Sequence, residues 1–177
     1  MKHYRLQHLI YMALCCNLGL LSKRLIAPVT NIFTDALHIP GGIGTSFSLM
    51  FLVICAAVIP RFGCAAIMGI VQSVLALSMG MVGSMGALSP IGYIVPGMVI
   101  DGVLYLSRKV HLSMGLGVMI ANMLAAAAAA ITANVIVFHL GGIVLALYLA
   151  VAVTSGAICG MLAGELVPPI RLALAVI

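Results

Sequence analysis

The sequence predicts an all-α integral membrane protein, a six-transmembrane-helix bundle that forms a single domain, residues 1–177. Two observations carry this prediction. The chain is 64% hydrophobic and only 6% charged, with a mean hydropathy of +1.32, whereas a soluble domain has roughly 25% charged residues. Its apolar residues also fall into runs close to the length of a membrane-crossing helix, separated by glycine, proline or charge. Such a chain lacks the polar residues that a soluble fold needs on its surface.

Six apolar runs define the predicted spans. In chain order they are residues 7–22, 45–60, 63–82, 88–106, 113–138 and 143–167. The first two are short for helices that need about 20 residues to cross a bilayer, which indicates tilt or local thinning. The breaks, at 60–63, 83–90, 107–109, 139–142 and 168–169, contain proline, glycine or charge. We predict that Pro168-Pro169 stops the last helix, because proline breaks the hydrogen-bond ladder.

The Lys and Arg residues predict the orientation. With a cytoplasmic N-terminus, the inner face holds Lys2, Arg5, Arg61, Arg108, Lys109 and Arg171, and the outer face holds Lys23 and Arg24. This satisfies the positive-inside rule and makes both termini cytoplasmic.

The first apolar run has no small-x-small cleavage site, so we interpret it as a membrane helix. Topology also explains the basic residues without nucleic acid as a partner.

The predicted topology leaves one long connection, an outer loop over residues 23–44. Long loops in compact domains are often lids or binding loops. Its second half is rich in glycine, and we predict that it gates a site through Asp35, Pro40, Gly41, Gly42 and Gly44. The path of the apolar segment 25–37, along the membrane or into it, stays open.

Small residues at four-residue spacing predict close helix packing. The last span carries Gly156, Gly160 and Gly164 at this spacing, and the first span carries weaker small faces through Ala13-x-x-x-Asn17 and Cys15-x-x-x-Gly19. We predict that these residues pack or dock helices. The neighbour of the glycine face is left open between a helix of this chain and a partner subunit.

Polar side chains inside the spans are costly in lipid and usually face the protein interior. Tyr93, Asn134 and Tyr148 lie in the outer half of the spans, and Gln72 lies near mid-membrane. At the outer face we add Thr45, His139 and, in the loop itself, His38. Each could simply form a hydrogen bond between helices, but together they resemble the lining of a small-molecule site. We therefore predict that they bind a small-molecule substrate. Lys23 and Arg24 could steer an anionic ligand or extend to lipid headgroups.

No pattern indicates catalysis, so we predict that the protein is not an enzyme. The three carboxylates, Asp35, Asp101 and Glu165, are too scattered to form an acid–base pair. Asp101 is the one well inside a span, and an ion pair or a helix cap would explain it. The cysteines lie in apolar runs without a metal-ligand spacing, so we predict core packing, no metal and no cofactor. No nucleotide-binding motif is present to power transport.

Most of the chain resembles a known family in its layout of six spans with both ends inside, and residues 37–104 are the most telling stretch. The Pro-Gly-Gly of 40–42, the Pro-Arg-Phe-Gly turn of 60–63 and the Ser-Pro-x-Gly-Tyr of 89–93, followed by Pro96-Gly97 and Asp101, are similar to the substrate-binding S component of energy-coupling factor (ECF) transporters. The resemblance implies a multi-pass protein of a prokaryotic cell membrane. It would capture a vitamin or related micronutrient at the outer face, beneath the first outer loop, and deliver it inward.

The resemblance also implies partners, namely the lipid bilayer, a transmembrane T component and two ATPase subunits. The family's first helix often docks through Ala-x-x-x-Ala, for which this chain has Ala13-x-x-x-Asn17. The layout is most similar to members linked with thiamine or its pyrimidine precursor. The alternatives are a metal- or tetrapyrrole-binding S component and a structural or channel-like membrane subunit.

Overall fold

The protein is described here from a computed structural model that covers residues 6–36, 43–59, 61–80, 88–139 and 141–176. Within these ranges it consists of helices and turns, which confirms the all-α prediction. The helices are α1 Leu6–Ala36, α2 Ile43–Val58, α3 Cys64–Ser78, α4 Ser89–Lys109, α5 Met114–Ala133 and α6 Gly142–Val176. A π-helical turn, Asn134–Phe138, continues α5.

Four of the helices are long and apolar enough to cross a membrane. Their candidate spans are Leu6–Ile26, Ser89–Lys109, Met114–Phe138 and Gly142–Ala173. The apolar α2 and α3 have only 16 and 15 residues. At 1.5 Å per residue they are about 24 and 22 Å long, against about 30 Å for the hydrocarbon core of a bilayer. A crossing by all six helices therefore stays a prediction.

The first helix is longer than predicted, which corrects the outer loop over 23–44. α1 continues to Ala36, so Asp35 lies on a helix, and Gly44 lies in the first turn of α2. Lys23 and Arg24 are good helix formers: they end an apolar run without ending a helix. Pro28 stands inside α1, where it costs one hydrogen bond. Of the proposed gating residues, Pro40, Gly41 and Gly42 lie outside the described residues.

The last helix also passes its predicted end. α6 contains both Pro168 and Pro169 and continues to Val176. Val167 is fully buried and Ile170 packs against the main core, so the helix is held on both sides of the proline pair. Tertiary packing here outweighs the hydrogen bonds that the two prolines remove.

α2 is the central helix of the bundle. It packs against each of the other five helices, and α1, α3, α4, α5 and α6 follow one another around it. Every residue from 52 to 59 is at most 7% exposed. A helix that is apolar and buried all round is typical of the centre of a bundle. All five cysteines are buried, as predicted, and free.

The three glycines of α6 face α5. A Cβ added at Gly156, Gly160 or Gly164 would lie within 3.2 Å of an α5 atom, and at Gly160 it would lie 2.7 Å from the Cα of Met119. Asn122 of α5 donates from Nδ2 to the Gly156 carbonyl over 2.8 Å. The neighbour of the glycine face is thus a helix of the same chain.

α4 holds the turn between α2 and α3 through two charged side chains. The Asp101 carboxylate accepts hydrogen bonds from the backbone N–H groups of Ala65 (3.1 Å) and Ala66 (2.8 Å), in the first turn of α3. Arg108 donates from Nη2 to the carbonyl of Ala56 near the end of α2, over 2.9 Å. Asp101 is therefore a helix cap for a neighbouring helix, one of the two roles that the sequence left open.

The close packing of α3 against α4 requires small residues in both helices. A Cβ at Gly97 would lie 2.6 Å from the carbonyl oxygen of Ala65, and a Cβ at Gly69 would lie 2.6 Å from the carbonyl oxygen of Tyr93. Since each approach is to backbone, neither helix can give way by moving a side chain. Glycine at both positions thus sets the short distance between α3 and α4.

Candidate functional site

A cation and an aromatic ring meet where α3 ends and α4 begins, the outer end of the bundle in the predicted topology. Lys23 of α1 donates from Nζ to the Tyr93 hydroxyl of α4 over 3.1 Å. The same nitrogen lies 4.3 Å from the centre of the Tyr93 ring. Tyr93 is 7% exposed and packs with Leu20 and Ala76. The ammonium group is therefore turned toward the protein interior and held over the ring by hydrogen bonding and cation–π attraction.

One turn deeper, polar side chains join α1 to its neighbours. Gln72 of α3 donates from Nε2 to the Cys16 carbonyl over 3.2 Å, and Ser48 of α2 donates to the Gly19 carbonyl over 2.8 Å. A Cβ at Gly19 would lie 2.7 Å from Gln72 Nε2. Gln72, predicted to bind substrate, thus has a role in helix packing, and Gly19 makes room for its amide.

A second group of the predicted residues lies between α5 and α6. Tyr148 is buried with Ala130 and Ala152, and its ring meets that of Phe138 edge-on, with centroids 6.0 Å apart. Close by in the chain, the His139 N–H donates to the Asn134 carbonyl over 2.8 Å and closes the π-helical turn. The His139 side chain is exposed and its backbone is left-handed, with φ 47°.

The predicted substrate residues thus divide between two clusters on either side of α2. Tyr93 and Gln72 lie with α1, α3 and α4, while Asn134, His139 and Tyr148 lie with α5 and α6. The outer end of α2 contacts both sides: Ser48 bonds to α1, and Ser46 lies 2.9 Å from the Ser155 hydroxyl of α6. Thr45 is half-buried in the first turn of α2. His38 lies outside the described residues.

A groove runs beside the first cluster on the outside of α1. It has a volume of about 130 Å³ and is lined by Asn17, Leu20, Leu21, Arg24 and Met79. Arg24 is exposed at one end, and Leu20 is shared with the packing around Tyr93. Leu20 therefore joins the groove to the packing around Tyr93, while Lys23 and Tyr93 do not line the groove.

Lys23 is the residue that the sequence did not place among the binding residues. Its position nonetheless follows from spacing, because it continues the buried face of α1 that includes Met12, Cys16 and Gly19. Residues four apart share one face of a helix. A lysine at the end of such a stripe is directed at the neighbouring helices. Arg24, one residue later, lies on a different face of α1 and is exposed.

Among the side chains that the structure describes, no three or more His, Cys, Asp or Glu residues come together in a way that could hold a metal ion. No protein-family model, curated protein or solved structure matches this chain. The function is therefore inferred from the residues of this chain.

Proposed function

We propose that this chain is the substrate-capturing S component of an ECF-type transporter in a prokaryotic cell membrane. It would cross the membrane six times, bind a vitamin or related micronutrient at its outer end, and release it inward together with a T component and two ATPases. The sequence resemblance suggests this function. The observation that carries it further is the exposed face of α1.

The exposed face of α1 carries a polar amide, that of Asn17, on a mostly apolar surface. Ala13 and Asn17 are exposed in the middle of the candidate span Leu6–Ile26, among exposed leucines. Asn17 donates from Nδ2 to the Ala13 carbonyl over 3.0 Å. In a membrane, acyl chains would offer no donor to its amide oxygen, which is unfavourable, whereas a partner helix could donate to it. The exposed position of Asn17 therefore favours a chain that works as one subunit of a membrane complex.

The glycine packing supports the same assignment over a self-assembling structural subunit. A glycine-rich face drives oligomerisation only where it is free to meet another copy. Gly156, Gly160 and Gly164 are all in contact with α5. On α1, the small Ala13 and the polar Asn17 are exposed and available to a partner.

We expect the substitution Asn17→Leu to reduce co-purification of the T component and the two ATPases by about tenfold, since it removes an interhelical hydrogen bond and adds bulk to a packed surface. The tagged protein would be isolated in mild detergent from the membranes of its source organism. Quantitative mass spectrometry would then measure the partner subunits.

Thr154→Val is the matched control. Thr154 is also exposed on an apolar helix, but its hydroxyl bonds to the Ala150 carbonyl of its own helix over 2.8 Å. The control should retain the partners. Purification of the unmodified chain without any ATPase would refute the proposed function, and equal retention by both variants would refute docking through α1.

A further inference from the structure

We propose that Lys23 and Tyr93 bind the carboxylate or phosphate group of an anionic ligand at the outer end of the bundle. The inference deepens the proposed function, on which it rests, by naming the charge class of the captured molecule. It also makes an anionic ligand a better match than thiamine, whose thiazolium ring is positively charged.

Hydrogen-bond donors outnumber acceptors at the Lys23–Tyr93 pair. A lysine ammonium has three N–H donors and no acceptor, and a tyrosine hydroxyl can donate once and also accept. Tyr93 accepts from Lys23, so within the described part of the chain its own proton and two of the ammonium N–H groups stay available. A carboxylate or phosphate offers only acceptors at neutral pH and forms strong, charge-assisted hydrogen bonds with such donors.

The positive charge at Lys23 also favours an anionic ligand. Lys23 and Arg24 are adjacent cations. The two carboxylates with described side chains are Asp101, which caps the start of α3, and Glu165, next to the glycine that contacts the start of α5. Both lie toward the opposite end of the bundle. In the described part of the chain, the positive charge of Lys23 is thus not neutralised by a carboxylate.

The direction of the Lys23 side chain favours ligand binding over a role as an interfacial anchor. A lysine that serves only as an interfacial anchor extends to lipid headgroups. Lys23 instead points across to α4 and contacts a ring that is almost fully buried.

A dissolved acid and an anionic lipid headgroup present the same chemistry, so the experiment has two arms. In the first arm, the protein in phosphatidylcholine nanodiscs is titrated with biotin and pantothenate (carboxylates), pyridoxine (neutral) and thiamine (a cation). In the second arm, native mass spectrometry measures retention of phosphatidylglycerol against phosphatidylcholine. The variants are Lys23→Gln, Lys23→Arg and Tyr93→Phe, with Lys109→Gln at the other end of α4 as the charge-matched control.

We expect a carboxylate probe to bind and Lys23→Gln to weaken its affinity about tenfold or more, the usual effect of losing a charge-assisted hydrogen bond. Lys23→Arg should restore part of the affinity, Tyr93→Phe should weaken it less, and Lys109→Gln should leave it unchanged. Thermal unfolding of each variant would separate loss of binding from loss of fold.

The other outcomes distinguish the two proposals. If thiamine or pyridoxine binds and Lys23→Gln has no effect, the anion site is wrong and the capture function stands. If only phosphatidylglycerol binds, and does so through Lys23, the anion site stands with a lipid as its ligand and vitamin capture is refuted. If no probe binds in either arm, the anion site is refuted, and co-purification of the ATPases decides the proposed function separately.

Discussion

Gly97→Ala is expected to lower the free energy of unfolding by about 2 kcal/mol, whereas Gly102→Ala, five residues later in the same helix, is expected to raise it by up to about 1 kcal/mol. The Cβ at position 97 would lie 2.6 Å from the Ala65 carbonyl oxygen, and at position 102 it would meet nothing within 4 Å. Overpacking typically costs about 1–3 kcal/mol, and an unhindered alanine recovers the roughly 1 kcal/mol that glycine costs inside a helix.

The measurement is thermal unfolding of the two variants and the parent in the same detergent. By the scaling for chains of this size, about 2–4 °C per kcal/mol, the two variants should differ by several degrees on opposite sides of the parent. Equal melting temperatures for the two variants would show that α3 and α4 do not pack as closely as described.

Asp101→Ala is expected to cost about 2–3 kcal/mol, because it leaves the N–H groups of Ala65 and Ala66 without an acceptor in a buried turn. Glu165→Ala removes a carboxylate that is exposed on α6, so this control should change stability by less than about 0.5 kcal/mol. Urea or thermal unfolding of both variants would measure the difference.

Asp101→Asn tests the cap itself. An amide has one oxygen to accept with, and its NH₂ group faces the second N–H donor. The Asn variant should therefore lose stability as well, though less than the Ala variant. A fully stable Asn variant would mean that one hydrogen bond is enough to hold the start of α3.

Hydropathy predicted the helices well because long apolar runs have few alternatives in a membrane. α4 and α5 begin one residue from their predicted starts. The helix ends were harder to predict. The charges at Lys23 and Arg24 mark the edge of an apolar run, which is a different boundary from the end of a helix. The prolines at 168 and 169 are overridden by the packing of Val167 and Ile170, which a local rule does not include.

The substrate-binding role of the polar residues stays a prediction. The sequence indicated polar groups near one end of the bundle, and the structure describes the contacts of several of them. It could not show that α2 separates Tyr93 from Tyr148, because hydropathy does not determine which helix is central. Nor could it show that Gln72 bonds to the Cys16 carbonyl, since side-chain partners depend on how α1 and α3 are rotated against each other.

The short α3 has a consequence for the membrane around the protein. α3 has exposed apolar residues from Ile67 to Leu77, yet it is about 8 Å shorter than the hydrocarbon core. α6, on another side of the bundle, is long enough for the full thickness. On the predicted six-span topology, this unequal hydrophobic mismatch, at a fraction of a kcal/mol per Å, would thin the bilayer on the side of α3. The resulting elastic force would tilt the protein toward α3 and make its orientation depend on acyl-chain length.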